Sequence, residues 1–184
     1  YYSRWTKSPE PWGLPISMSV EPTTACNLRC PECPSGLRDF TRPTGSMDVA
    51  LFEKIIDEVA SHLMYLTFYF QGEPFIHPKF LEMVKLAAAR NVFTNTSTNG
   101  HFINEKKAIE VVTSGLSRMI ISVDGTTQET YEQYRVEGEL SKAISAIENM
   151  VAAKKELGFG PEIVIQFLVV KPNEHQIPEI LEMG

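Results

Sequence analysis

Cysteine is scarce in this chain of 184 residues: there are three, and all lie between Cys26 and Cys33. The even-numbered, dispersed pattern of a disulfide-stapled secreted domain is therefore missing, which points to a reducing, cytoplasmic compartment. Long apolar runs are missing too, so no membrane-spanning helix is expected. Basic residues are in the minority, 17 Lys and Arg against 23 Asp and Glu, for a net charge of −6. Without a basic cluster, that balance repels a phosphate backbone and argues against a nucleic-acid partner. The start at Tyr1 shows neither a basic n-region nor an apolar h-region, so no signal peptide is read there. Repeats and low-complexity tracts are absent.

What remains is the composition of a folded domain, 43% hydrophobic and 22% charged, long enough to bury one substantial core. Residues 1–15 carry Pro9, Pro11 and Pro15 beside Trp5 and Trp12, a mixture that resists regular structure and is read as an extension offering aromatic area to a neighbouring surface. Residues 16–184 alternate β-type runs with helical-period segments, the pattern of βα units and a parallel sheet. The strand candidates are Ile16–Glu21, Tyr65–Phe70, Val92–Thr98, Arg118–Asp124 and Glu162–Val170, each rich in β-branched or aromatic residues.

Between them, Asp48–Ser61 and Leu140–Leu157 place apolar residues on one helical face and read as crossover helices. Punctuation agrees. Pro78 suits the first position of a helix, Asn104 an N-cap, Thr126 with Glu129 a capping box, and Gly158 the position after a helix end. The final segment, Glu174–Gly184, reads as a helix with no strand after it, so the native protein is expected to continue.

The unusual residues follow the strands. After the first come the cysteines, after the second Gln71-Gly72-Glu73-Pro74, after the third Ser97-Thr98-Asn99-Gly100, and after the fourth Ser122-Val123-Asp124-Gly125. In a parallel βα array these loops emerge at the carboxyl ends of the strands, where such folds place their chemistry. The spacing Cys26-x3-Cys30-x2-Cys33 supplies three thiolates from one loop, which Pro31 and Pro34 stiffen and in which Asn27 can form an Asx-type turn. Three sulfurs on a cubic cluster of four irons leave one iron open to a reactant. The competing reading is a zinc site completed by a histidine such as His77, or a cluster-bearing carrier without catalysis. A carrier normally supplies four ligands per cluster.

The run Cys-Asn-Leu-Arg-Cys-Pro-Glu-Cys resembles the signature of the radical S-adenosylmethionine (SAM) superfamily, and Gly-Glu-Pro, Ser-Thr-Asn-Gly and Ser-Val-Asp-Gly fall where that family's SAM-binding segments fall. The chain looks most like the SPASM or twitch branch, which includes peptide maturases and anaerobic sulfatase-maturing enzymes. Extensions of that branch bind further clusters through their own cysteines. None follow Cys33 here, so either the chain stops short of the extension or the protein lacks auxiliary clusters. The implied fold is α/β, a partial parallel (β/α)6-type barrel like an incomplete TIM barrel, with strands one to five present and truncated at the C-terminus.

The resemblance also implies the cofactors, a 4Fe–4S cluster and SAM. The open iron chelates SAM, one electron breaks its carbon–sulfur bond, and a 5′-deoxyadenosyl radical takes hydrogen from a substrate, a peptide or protein side chain or else a small metabolite or cofactor precursor. A flavodoxin-like or ferredoxin-like protein would supply the electron. In one departure, Glu32 stands where many members have an aromatic residue before the third cysteine, so only backbone contacts to adenine carry over there.

SAM presents an ammonium group, a carboxylate, a ribose and an adenine, and the loops hold a partner for each. Glu73, beside the permissive Gly72, resembles the acid of the family's Gly-Gly-Glu motif, whose first glycine is Gln71 here. Ser122 and Arg135 resemble the pair that binds the SAM carboxylate, a task suited to a guanidinium fork. Ser97, Thr98 and Asn99 offer hydroxyl and amide groups. Gln166, the polar residue in an apolar strand, points toward the ribose or faces a solvated edge, and Val169 and Val170 are candidate adenine contacts. No residue is identified as the proton acceptor, for which Asp124 and Tyr69 are candidates. Arg38, Phe40 and Arg42, in the thirteen-residue stretch Pro34–Ser46, either reach substrate or reductant or simply cover the cluster.

Overall fold

The computed structural model describes residues 4, 5, 7 and 13–184. Its sheet contains β1 (Ser17–Ser19), β2 (Tyr65–Thr67), β3 (Phe93–Thr98), β4 (Arg118–Ser122) and β5 (Glu162–Gln166), ordered β1-β2-β3-β4-β5 with every neighbouring pair parallel. Strictly sequential order carries every crossover over the same face, so the sheet is an open barrel wall and not a doubly wound layer. The crossovers contain α1 (Pro34–Leu37), α2 (Val49–Val59), α3 (Phe80–Ala88), α4 (Glu105–Val112), α5 (Gln128–Tyr134) and α6 (Leu140–Leu157), with α7 (Ile177–Met183) following β5.

Local chemistry sets several of these boundaries. Asp48 caps α2 by accepting from Ala50 N and Leu51 N at 2.9 and 3.1 Å, and Asn104 caps α4 by accepting from Lys107 N at 2.8 Å. Gly158 ends α6 with φ +75°, a conformation glycine adopts without steric cost. Two expected starts move. α3 opens at Phe80 and not at Pro78, because the His77 ring accepts from Lys79 N and holds that turn outside the helix. The cap of α5 is Thr127, whose hydroxyl accepts from Thr130 N, while Thr126 bonds to Glu179. The Pro34–Ser46 stretch contains α1 and returns to the cysteine loop through an antiparallel bridge, Thr23 to Ser46.

The strands alternate in character. One face carries Val20, Leu66, Phe68, Met119 and Ile121, which pack under the helices against Phe52, Ile56, Phe80, Met83 and Met150; Phe52, Phe68 and Phe80 meet with ring centroids 5.5 and 5.6 Å apart. The opposite, inner face is polar in its upper half, with Tyr69, Ser97, Ser122 and Gln166. Its foot is closed by Tyr65 stacked on Phe93 at 5.2 Å, with Arg118 over Phe93 and paired to Glu162 at 2.6 Å. The regular strands are shorter than the apolar runs, and single ladder bonds continue past them, from Val20 N to Thr67 O, Phe68 N to Asn95 O and Val123 N to Gln166 O. Of the residue 1–15 extension, most lies outside the described residues; Trp5, which does not, is 87% exposed.

Candidate active site

The cysteine loop leaves β1 and is pinned from three sides. Thr23 and Thr24 hydroxyls donate to Gly45 O, Arg29 N donates to Val136 O at 3.0 Å, and Leu28 is buried. Cys33 precedes α1, and Pro34 fills its first turn. Gly36 lies so close to the Cys30 backbone that a Cβ there would collide with it, which fixes the spacing between the second cysteine and the helix after the third. Burial pushes the Cys26 and Cys30 thiols up from their ordinary range, and the Arg135 guanidinium pulls Cys30 partly back.

The next loops lock onto this one. Gly72 takes φ +79° and packs on Thr23 O, and its N–H donates to Ser35 Oγ at 2.9 Å. Glu73 N donates to Ala25 O at 2.7 Å. The Glu73 carboxylate is buried and accepts from Thr98 Oγ1 and Asn99 N, each at 2.8 Å, and from Phe75 N at 3.2 Å. Burial raises its pKa, and these donors oppose the rise. Asn99 Nδ2 donates to Asn27 Oδ1 at 2.8 Å, so Asn27 braces two loops together where an Asx-type turn was expected.

After β4, Arg135 Nε donates to Asp124 Oδ2 at 2.6 Å and its Nη1 stands 3.9 Å from Cys30 Sγ. One cavity with about 810 Å³ of open space, mouth included, is lined by Cys26, Cys30, Cys33, Gly72, Glu73, Ser97, Thr98, Asn99, Ser122, Arg135, Gln166 and Tyr69.

Two residues considered from sequence stand elsewhere. Val169 is 53% exposed and outside the cavity wall, because the chain turns away from the barrel after Gln166. Asp124 is fully buried, and its oxygens accept from Arg135 and from Leu168 N at 2.7 Å, so it serves as a strut between the ends of β4 and β5. Arg42 pairs with Glu21 at 2.7 Å and lies over the Phe40 ring. Gln71, at the position of the motif's first glycine, lines the cavity too, as do Leu28, Gly36, Phe70 and Tyr134; of these last four, which were not read as site residues, Tyr134 carried a signal in its position directly before Arg135.

The donor set fits an iron–sulfur cluster. Three thiols share one cavity, and the chain holds no other cysteine. Among the described residues no three His, Cys, Asp or Glu side chains converge on a single-ion position; a cluster instead takes one thiolate per iron. His77, the candidate fourth zinc ligand, has both ring nitrogens occupied, Nε2 with Met47 O and Nδ1 with Lys79 N.

Residues 20–184 match the Radical SAM superfamily. The chain belongs to that superfamily. Membership brings with it a 4Fe–4S cluster and SAM, which the cavity's three thiols and polar lining suit in chemistry. Among relatives, the mycofactocin maturase of Mycobacterium ulcerans is 34% identical over 92% of this chain and 44% of its own length. The tungsten-containing aldehyde ferredoxin oxidoreductase cofactor-modifying protein of Pyrococcus furiosus is 30% identical over 88% of this chain and 46% of its own. The chain spans less than half the length of these curated relatives. Streptococcus suis SuiB, solved with S-adenosylmethionine bound, superposes with a TM-score of 0.75 at 15% identity, over 92% of this chain and 37% of SuiB, a likeness of fold that includes the partial barrel. No helix among the described residues is long and apolar enough to cross a membrane.

Proposed function

We propose that residues 16–184 are the SAM-cleaving core of a peptide-modifying radical enzyme. The observation that carries this reading is the shared cavity: three thiols from one loop face Ser122, Arg135 and Glu73 from three others. Cys26, Cys30 and Cys33 would hold the cluster. Bound there, the cluster supplies one electron to SAM, whose carbon–sulfur bond breaks to give a 5′-deoxyadenosyl radical.

The chain's own part is binding and orientation. Arg135, held by Asp124, presents its guanidinium fork to the SAM carboxylate with the Ser122 hydroxyl beside it. Gly72 and Glu73 offer backbone and carboxylate oxygens to the ammonium group. Ser97, Asn99 and Gln166 serve the ribose or the substrate. Tyr69, on the cavity wall, is better placed than the buried Asp124 to meet substrate.

A peptide substrate is supported by the mycofactocin maturase relative and by SuiB, which has also been solved with its precursor peptide SuiA. The Pyrococcus furiosus cofactor-modifying relative favours a second reading, chemistry on a cofactor precursor. An external flavodoxin-like or ferredoxin-like donor and a cytoplasmic location complete the proposal, because three free cysteines in one loop persist as thiols in reducing surroundings.

Anaerobic reconstitution tests it. The protein should bind iron and sulfide and, given SAM and dithionite, release 5′-deoxyadenosine. Zinc without iron, or a fully loaded and reduced cluster that leaves SAM intact, would refute it.

A further inference from the structure

His101, in the loop after β3, joins two segments that build the cavity. Its Nδ1 lies 3.0 Å from Asn99 O and its Nε2 lies 2.8 Å from Glu139 N. A carbonyl oxygen only accepts and a backbone N–H only donates, so Nδ1 carries the proton and Nε2 the lone pair. Both bonds together require the neutral ring in that one tautomer. In the imidazolium both nitrogens are donors, and Nε2–H would face the Glu139 N–H.

Each end of this staple leads to the proposed SAM site. Asn99 lines the cavity; its N donates to Glu73 Oε2 and its Nδ2 to Asn27 Oδ1 of the cysteine loop. Glu139 closes the turn that begins at Arg135. In that turn Gly138 N donates to Arg135 O at 2.7 Å, and Val136 O accepts from Arg29 N of the cysteine loop. Glu137 sits there at φ +65°, a conformation costly for a residue with a side chain, so the turn depends on what holds its ends. Gln128 holds it through Gly138 O and Leu140 N and does not titrate. Hydrogen bonds thus run in a circuit from the cysteine loop through Asn99, His101 and the Arg135 turn back to the cysteine loop, and His101 is the link that titrates near neutral pH.

The charged groups around the ring are Glu139 and Lys142 at the start of α6, paired with each other at 2.5 Å, and Arg135 at the end of α5; the loop after β3 carries none. Burial, Lys142 and Arg135 disfavour the imidazolium, Glu139 and Asn99 O favour it, and the pKa is lowered from 6.5.

We propose that His101 is a positioning residue for SAM, its neutral ring keeping the Arg135 turn in register with the Asn99 loop, so that protonating it weakens SAM binding. This rests on the reading that Arg135 and Asn99 meet SAM.

Nitrogen-15 spectra of the metal-free protein should show the Nδ1–H tautomer of His101 at pH 7.5, with faster exchange of the Glu139 amide as the ring protonates. The opposite tautomer overturns the proposal, whatever the variants do. In the reconstituted protein, with iron content checked at each pH, SAM affinity by calorimetry should fall about fivefold from pH 7.5 to 5.5, the worth of one hydrogen bond. His101→Gln, whose amide oxygen can accept from Glu139 N without titrating, should lose most of that response, whereas His101→Phe should bind SAM about fivefold more weakly already at pH 7.5. An equal fall with pH in His101→Gln, or unweakened binding in His101→Phe, overturns the proposal. Failure of the unmodified, fully loaded protein to bind SAM at pH 7.5 would instead remove the SAM-site reading, and this inference with it.

Discussion

Arg135 is held to Asp124 by an Nε–Oδ2 hydrogen bond of 2.6 Å, and the carboxylate end of that pair is wholly buried. The other Asp124 oxygen accepts from Leu168 N, and Asp124 O accepts from Asn173 Nδ2 at 3.0 Å. One residue thus couples the guanidinium on the cavity wall to the turn after β5.

Asp124→Asn should keep the Leu168 bond and lose the charge that aims Arg135. Removing one partner of a largely buried pair costs about 3 kcal/mol, readable by urea unfolding of the metal-free protein. SAM affinity of the loaded protein should fall at least tenfold by calorimetry. Unchanged affinity would mean that Arg135 does not hold SAM.

Cys30→Ala should lose iron and SAM cleavage together while keeping the helical circular dichroism signal, because the sheet and its helices pack without the loop's sulfurs. Iron per chain and 5′-deoxyadenosine are the readouts. A variant that still cleaves SAM would contradict the assignment.

Gly72→Ala places a side chain at φ +79° against Thr23 O. Strain of that kind costs about 1–3 kcal/mol. The melting temperature should fall, and the cluster should load poorly because Gly72 and Glu73 hold the cysteine loop through Ser35 and Ala25.

His101 supplies a pH dependence. Burial lowers its pKa from 6.5, opposed by its bond to Asn99 O, and its Nε2 accepts from Glu139 N at 2.8 Å. The neutral ring is the folded form, so the unfolded chain binds more protons between the lowered pKa and 6.5. Its contribution to stability is present above pH 6.5 and lost as pH falls through the folded value. Unfolding free energies at pH 7.5 and 5.5 should differ less in His101→Gln than in the unmodified protein.

The parallel βα order and the cysteines were legible because each rests on local pattern: alternating β-rich and helical segments, a stiff loop of three thiols, and turn residues after each strand. Sequential topology then brought Gly72, Glu73, Ser97, Asn99, Ser122 and Gln166 to one mouth. Helix starts were less legible. The difference between Pro78 and Phe80, or Thr126 and Thr127, depends on which side chain wins a backbone N–H.

The sequence by itself determined the chemistry on offer, three sulfurs and the polar groups that accompany them, since residue type and strand-end position suffice for that. Only the tertiary structure decided which groups were free to use it. Asp124 became a strut and Val169 left the cavity. Asn27 met Asn99 across 72 positions of chain, and Tyr131 was buried in the core. Burial and partnering arise between segments distant in sequence, and no local pattern records them.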